Sequence, residues 1–208
     1  VTAPVSIVVG VDVGGPGKGF HAVALRQGQY WQRYHALEPS AMAAWCGHVG
    51  ATAVGIDAPC GWSRQGGSRQ AERDLAARGI HAFATPSRDR ALARPFFGWM
   101  LNGEALYTQI RKQHSLYTGQ RPITGPVCFE TFPHAVACAL AGRVVPARGK
   151  AALRRRLLHD YGLDISELTN IDWIDAALCA LAAQHVVQGR HVSYGNRAEG
   201  YILVPEDV

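Results

Sequence analysis

The chain has 208 residues, of which 48% are hydrophobic and 18% charged; that balance suits one sizeable folded unit and excludes a disordered polymer. A formal charge of +5 at pH 7 permits a polyanionic partner without requiring one. Cys46, Cys60, Cys128, Cys138 and Cys179 are odd in number and form no CxxC, which argues against a disulfide framework and a thiolate zinc site and for buried thiols in a reducing compartment.

In chain order, residues 5–13 read as a strand buried on both faces, because they are almost all apolar. No cationic segment precedes them and they include Asp12, so they do not read as a signal peptide. No run is long enough to span a bilayer, and the expectation is a cytoplasmic protein with no membrane partner. Residues 14–19 (GGPGKG) read as a turn. Residues 20–26 and 29–37 are strand-like runs split by Gln27-Gly28, completing an antiparallel meander of three strands. A helix runs from Pro39-Ser40 to about residue 48, with Ser40 a candidate N-cap. Residues 52–57 form a fourth strand, stopped by Pro59.

Residues 66–79 read as an arginine-rich helix, 81–95 as a loop and 96–116 as a helix. Residues 127–131 give a fifth strand, 133–141 a helix, 149–161 a basic helix and 170–187 a strongly apolar helix. The tail YILVP reads as an edge strand. Such an order predicts an α/β fold with a mixed central sheet of about five strands, the first three antiparallel, flanked by helices. It is the order of the ribonuclease-H-like fold. All 208 residues then form one domain, with a helical insertion at about 61–120 between strands four and five. The apolar helix and the edge strand permit a homodimer.

Several motifs fail on inspection. In GGPGKG, Lys18 is followed by Gly19 rather than Ser or Thr, so there is no Walker A loop. The turn leads into FHAVAL, a strand and not a helix, which removes the dinucleotide fingerprint. A tight turn explains the glycines, although Lys18 could reach a phosphate from it. Neither HExxH nor GxSxG occurs; among nine histidines only His21 and His134 lie near the acidic motifs.

Those acidic motifs carry the chemistry. Asp12 lies in the first strand, Asp57 ends the fourth and Glu130 the fifth, while Asp172 and Asp175 open the apolar helix. Each has a structural reading: Asp172 serves the helix dipole, Asp57 a turn, Glu130 a helix cap. Asp175 is harder to explain so, since it precedes AALCALAA, a small-residue face suited to close packing on a sheet. Together the carboxylates sit where an open α/β sheet places its ligand site, at the carboxyl ends of parallel strands. Clustered buried carboxylates need a positive charge among them, and an all-oxygen set suits Mg²⁺ or Mn²⁺.

The set GVDVGGPGKGFHAV, VGIDAPCG with GGSRQAERDL, FETFPHA and DWIDAALCALAA resembles the domain-of-unknown-function 429 family (DUF429), described as predicted nucleases of the ribonuclease-H-like fold. The start of the last helix also looks like that of Holliday-junction resolvases. The resemblance implies Asp12, Asp57 and Asp175 as metal ligands, Asp172 as a fourth, and catalytic roles for Asp12, Asp57, Asp175 and Glu130. Where the resolvases carry Glu on the fourth strand, this chain has Asp57, whose shorter side chain sets its oxygen back. Nucleic acid is the implied partner. Lys18, Arg69 and Arg73 are the candidate phosphate contacts, the two arginines being four apart on one expected helix face. Lys150 and Arg154 to Arg156 read either as a phosphate surface or a solvated face. Trp62, Phe83, Phe96, Phe97 and Trp99 read either as core or as stacking surfaces for unpaired bases. Two other functions compete: a phosphotransferase or ATPase, since DVGG resembles the turn of sugar kinases although one domain is too short for that plan, and a non-catalytic binding protein whose carboxylates pair with arginines.

Overall fold

The apolar run at the start of the chain is strand β1 (Ile7–Val13). The computed structural model describes residues 6–206, so the expected start at Val5 lies outside the described residues. The glycine turn folds β1 back onto β2 (Phe20–Arg26), and Gln27-Gly28, with φ of 52° and 79°, makes the two-residue turn into β3 (Gln29–Ala36). Positive φ at both positions matches the twist of the flanking strands. Helix α1 (Pro39–His48) starts on Pro39, whose missing N–H is no loss in a first turn; Glu38, not Ser40, occupies the N-cap position. Strand β4 (Ala53–Asp57) then runs parallel to β1.

The insertion contains α2 (Gln70–Ala76), α3 (Arg88–Leu92) and α4 (Gly98–Ile110). Helix α3 falls in the stretch read as a loop. The helix expected over 96–116 is shorter, because Pro95–Phe97 form a 3-10 turn and Ser115–Leu116 form strand β5. The remaining elements are β6 (Val127–Glu130), α5 (Pro133–Leu140), α6 (Lys150–Asp160), α7 (Ile171–Val187), β7 (His191–Asn196) and β8 (Gly200–Pro205).

The sheet is mixed and has eight strands rather than about five, in the order β3-β2-β1-β4-β6-β8-β7, with β5 also on β6. Strands β1, β4, β6 and β8 are parallel; β2 and β7 run against their neighbours. The tail strand is not an edge: β8 lies between β6 and β7, and β7 is the outer strand. Strand β7 (HVSYGN) carries too few apolar residues to show as a strand on its own, and it is held by its hairpin partner.

Helices α5, α6 and α7 cover one face of the sheet and α1 and α4 the other. Alternation along β1 separates the faces: Val8 belongs to the first core, Val9, Val11 and Val13 to the second. Helix α7 is buried from Ile174 to Val186 between the sheet and α5 and α6. No helix among the described residues is long and apolar enough to cross a membrane.

Candidate functional site

Two glycines bring the acidic residues together. Gly10 on β1 lies beside Gly55 on β4, and two residues on Asp12 lies beside Asp57. A Cβ on Gly10 would sit 2.1 Å from Ala176 O and Ala180 N; one on Gly55 would sit 2.6 Å from Cys179 O. Only hydrogen fits there, so α7 lies on the strands almost backbone to backbone. Period-two alternation puts Asp12 and Asp57 on that same helix-facing side. The small-residue face AALCALAA is what permits the approach, and the helix's first turns carry Asp172 and Asp175 to the strand ends. Asn170 fixes that start, its Oδ1 accepting a hydrogen bond from Trp173 N at 3.1 Å.

Burial, then the charges of Asp175 and Asp172, push the Asp12 carboxyl up to about 7, against the pull of Lys18 and Lys150. Burial, then Asp12 and Asp175, likewise push Asp57 well above the usual carboxylate range. Neither Asp12 nor Asp57 has a salt bridge or a side-chain hydrogen bond among the described residues. The other acids do. Lys18 Nζ reaches Asp172 Oδ1 at 2.6 Å; Arg154 Nη1 bonds Asp175 Oδ1, and Lys150 Nζ lies 3.6 Å from its Oδ2. Burial still raises Asp175 in spite of these cations.

One group of potential metal ligands is formed among the described residues: Asp12, His21 and Asp172 each offer an atom within 4.8 Å of the others. His21 stands directly across from Asp12 in the β1–β2 ladder. Its ring packs 4.6 Å from the rings of His35 and Trp173, and its Nδ1 is buried without a hydrogen-bond partner among the described residues. Burial lowers its pKa, favouring the neutral imidazole that ligates metals. Two carboxylates and an imidazole fit a divalent cation, Mn²⁺ better than Mg²⁺ because of the nitrogen. Thus the expected ligands Asp12 and Asp172 converge, His21 joins them, and Asp57 and Asp175 complete no such group among the described residues. His134 joins none either.

A cavity of about 230 Å³ adjoins this corner and is lined by Asp57, Asp175 and Glu130 together with Arg69, Lys150 and Arg154. Glu130 is already bound. Its two oxygens accept from Arg69 Nη2 at 2.5 Å and Nη1 at 2.8 Å, and Oε2 also accepts from Cys60 N at 2.8 Å. Arg69 Nε donates to Glu72, which in addition accepts from the backbone N of Arg69 and of Thr85.

This arrangement corrects the expected roles of the arginines. Arg69, the N-cap residue of α2, turns its side chain inward, whereas Arg73, one turn on, is exposed, so the two do not form one cationic face. Arg69 is 1% exposed and engaged by two glutamates, so it does not form an open phosphate contact. Arg73 is exposed, bonds Gln70 Oε1 at 2.9 Å and does not line the cavity. Lys150 and Arg154, one turn apart on α6, line the cavity with Arg69; Arg154 is buried, so there the solvated-face reading fails, while Lys150 stays exposed. Lys18 remains at the mouth of the acidic corner, half exposed. Glu199, in the β7–β8 turn, holds the start of α2 by accepting from the backbone N of Arg64 and of Gln70, both at 3.0 Å.

No curated protein and no solved structure matches the chain. Residues 10–199, which include every acidic position described above, match the family described as "Protein of unknown function (DUF429)", and the chain belongs to that family.

Proposed function

We propose that the protein is a metal-dependent phosphodiester hydrolase, a nuclease built on the ribonuclease-H-like plan. The observation that carries the reading is the pair Asp12 and Asp57: two carboxylates side by side at parallel strand ends, buried or half-buried, without a salt-bridge partner among the described residues. The strand order β3-β2-β1-β4-β6, antiparallel and then parallel, supports the fold assignment. A binding protein that had kept only the fold would be expected to neutralise all its acids internally. Here Glu130 and Asp175 are neutralised by arginines, and Asp12 and Asp57 are not.

Asp12, His21 and Asp172 would hold the cation, with Asp57 and Asp175 lining the adjoining cavity. A bound Mg²⁺ or Mn²⁺ would supply an activated water and Lewis-acid polarisation of the phosphate. Lys150 and Arg154 place positive charge on the adjoining cavity, where a phosphate oxygen needs it. Asp175 keeps Arg154 turned toward that cavity, and Lys18 bonds Asp172 from the turn.

The test is Mn²⁺ titration by calorimetry and electron paramagnetic resonance, with cleavage assays on DNA and RNA. Wild type is expected to bind Mn²⁺ and cleave only with metal present; Asp12→Asn and His21→Ala are expected to lose both. Undiminished metal-dependent cleavage in Asp12→Asn would overturn the reading.

A further inference from the structure

The cavity beside the acidic corner has an aromatic rim that the hydrolase chemistry does not use. Phe83 and Trp99 both line it. Phe83 is nevertheless 67% exposed, so it stands at the mouth; Phe96, 63% exposed, packs edge-on against it at 6.0 Å, and Trp99 lies 6.5 Å from it. Exposing two phenylalanines side by side forfeits burial that the core would otherwise gain, and such patches mark contact surfaces.

The side of the rim formed by α4 is tied to its neighbours. Arg88 Nε and Trp62 Nε1 both bond Glu104, tying α3 and the strand-four loop to α4. Helix α4 is held in turn by Asn102 Nδ2 on Gly14 O at 2.9 Å, and by Gly103, where a Cβ would fall 2.5 Å from Ala58 Cβ. Ala58 comes directly after Asp57, so α4, which carries Trp99, lies directly against the acidic strand end. Between Phe83 and Phe96 the chain carries Arg90 and Arg94, both exposed and without a salt bridge among the described residues.

We propose that this rim stacks an unpaired nucleobase, so that the substrate is single-stranded nucleic acid. The inference rests on the hydrolase reading and deepens it. Aromatic faces bind bases of any sequence, but only bases released from a duplex stack. The strand's phosphates meet Arg90 and Arg94 outside and Lys150 and Arg154 within. Charge complementarity selects this occupant over a lipid, since an acyl chain entering the cavity would meet Asp57, Asp175 and Arg154.

The test uses the full chain in chelator, where no cleavage occurs, with fluorescein-labelled oligothymidylate of about fifteen nucleotides and its duplex with oligoadenylate. Anisotropy is expected to show the single strand binding at least about tenfold more tightly than the duplex. The double variant Phe83→Ala/Phe96→Ala is expected to weaken single-strand binding at least about tenfold while leaving the salt slope and Mn²⁺ binding unchanged. Phe83→Trp is expected to restore it in the Phe96→Ala background. Equal affinity for strand and duplex, or indifference to the double variant, overturns the inference, as does rim-dependent binding to phosphatidylcholine vesicles in place of the strand. If wild type hydrolyses bis(4-nitrophenyl) phosphate with Mn²⁺ but does not bind the strand, this inference falls and the hydrolase reading stands. If the strand binds through the rim and Asp12→Asn leaves Mn²⁺ binding intact, the rim assignment stands and the hydrolase reading falls.

Discussion

Two acidic corners lie within one small site, and they handle their charge in opposite ways. Around Arg69, two buried glutamates are matched by one guanidinium and by backbone N–H groups, with Arg69 donating to both Glu72 and Glu130. At the ends of β1 and β4, Asp12 and Asp57 stand together with no such match among the described residues. A buried charge that is paired inside the protein holds elements together; here Arg69 joins the start of α2 to β6 and to the β7–β8 turn. A buried charge left unpaired is a cost the fold carries for something it binds. The difference separates a structural acid from a functional one, although both kinds sit at strand ends and look alike in the sequence.

The largest expected effect breaks the closed corner. Arg69→Met leaves Glu72 and Glu130 buried without their cation and is expected to destabilise by about 3–5 kcal/mol, read from urea melts. If Arg69 were mainly a substrate contact, stability would barely change and affinity alone would fall. Next comes the glycine contact that creates the open corner. Gly10→Ala inserts a methyl into backbone atoms of α7 and is expected to cost about 1–3 kcal/mol or more, with loss of Mn²⁺ affinity because Asp172 moves off with the helix.

Neutralising the open corner has the opposite sign. Asp12→Asn removes a repelled charge and is expected to stabilise the metal-free protein at pH 8 by on the order of 1–2 kcal/mol. The same charge sets the pH dependence. The folded-state pKa of Asp12, about 7, lies above its unfolded value, so the folded chain binds more protons between about pH 4 and pH 7. The contribution of Asp12 to stability therefore falls as pH rises through that window. The fall is expected to be shallower in Asp12→Asn, where Asp57 still contributes. Mn²⁺ is expected to restore wild-type stability at pH 8 and leave the variant unchanged; thermal melts with and without metal read both.

The open corner is more legible in the sequence than the closed one. Asp12 and Asp57 interrupt strands that are otherwise apolar, and small residues after Asp175 announce a helix lying close on a sheet. Such signals are local. His21 is within reach of the same reasoning: a turn over residues 14–19 pairs Val13 with Phe20 and hence Asp12 with His21. Arg69 is misleading in the sequence because its partners are distant, Glu130 lying 61 positions away, and because at the N-cap its side chain turns inward while Arg73, four residues on, stays exposed. Glu199, which caps the same helix from 129 positions away, leaves no local trace. Strand β7 is hidden because its pairing with β8, and not its own pattern, makes it a strand.

The smallest expected effect sharpens the comparison most, because it concerns the lysine at the open corner. Lys18 bonds Asp172 at 2.6 Å from a side chain that is 52% exposed. Such a pair contributes about 0–1 kcal/mol, so Lys18→Ala is expected to shift the melting curve little. Burial pulls the Lys18 ammonium toward neutrality, but the bond to Asp172 and the charges of Asp172, Asp12 and Asp175 outweigh it and keep the group charged. Lys18 therefore occupies an oxygen of the ligand set as a competing cation. Removing it is expected to tighten Mn²⁺ binding several-fold by calorimetry, the reverse of what loss of a supporting contact would do. For a phosphate substrate the same variant is expected to raise KM, since the charge at the mouth is gone. Tighter metal with weaker substrate would place Lys18 between the two; weaker metal would mean that the open corner needs its lysine and is closer in kind to the Arg69 corner than its geometry suggests.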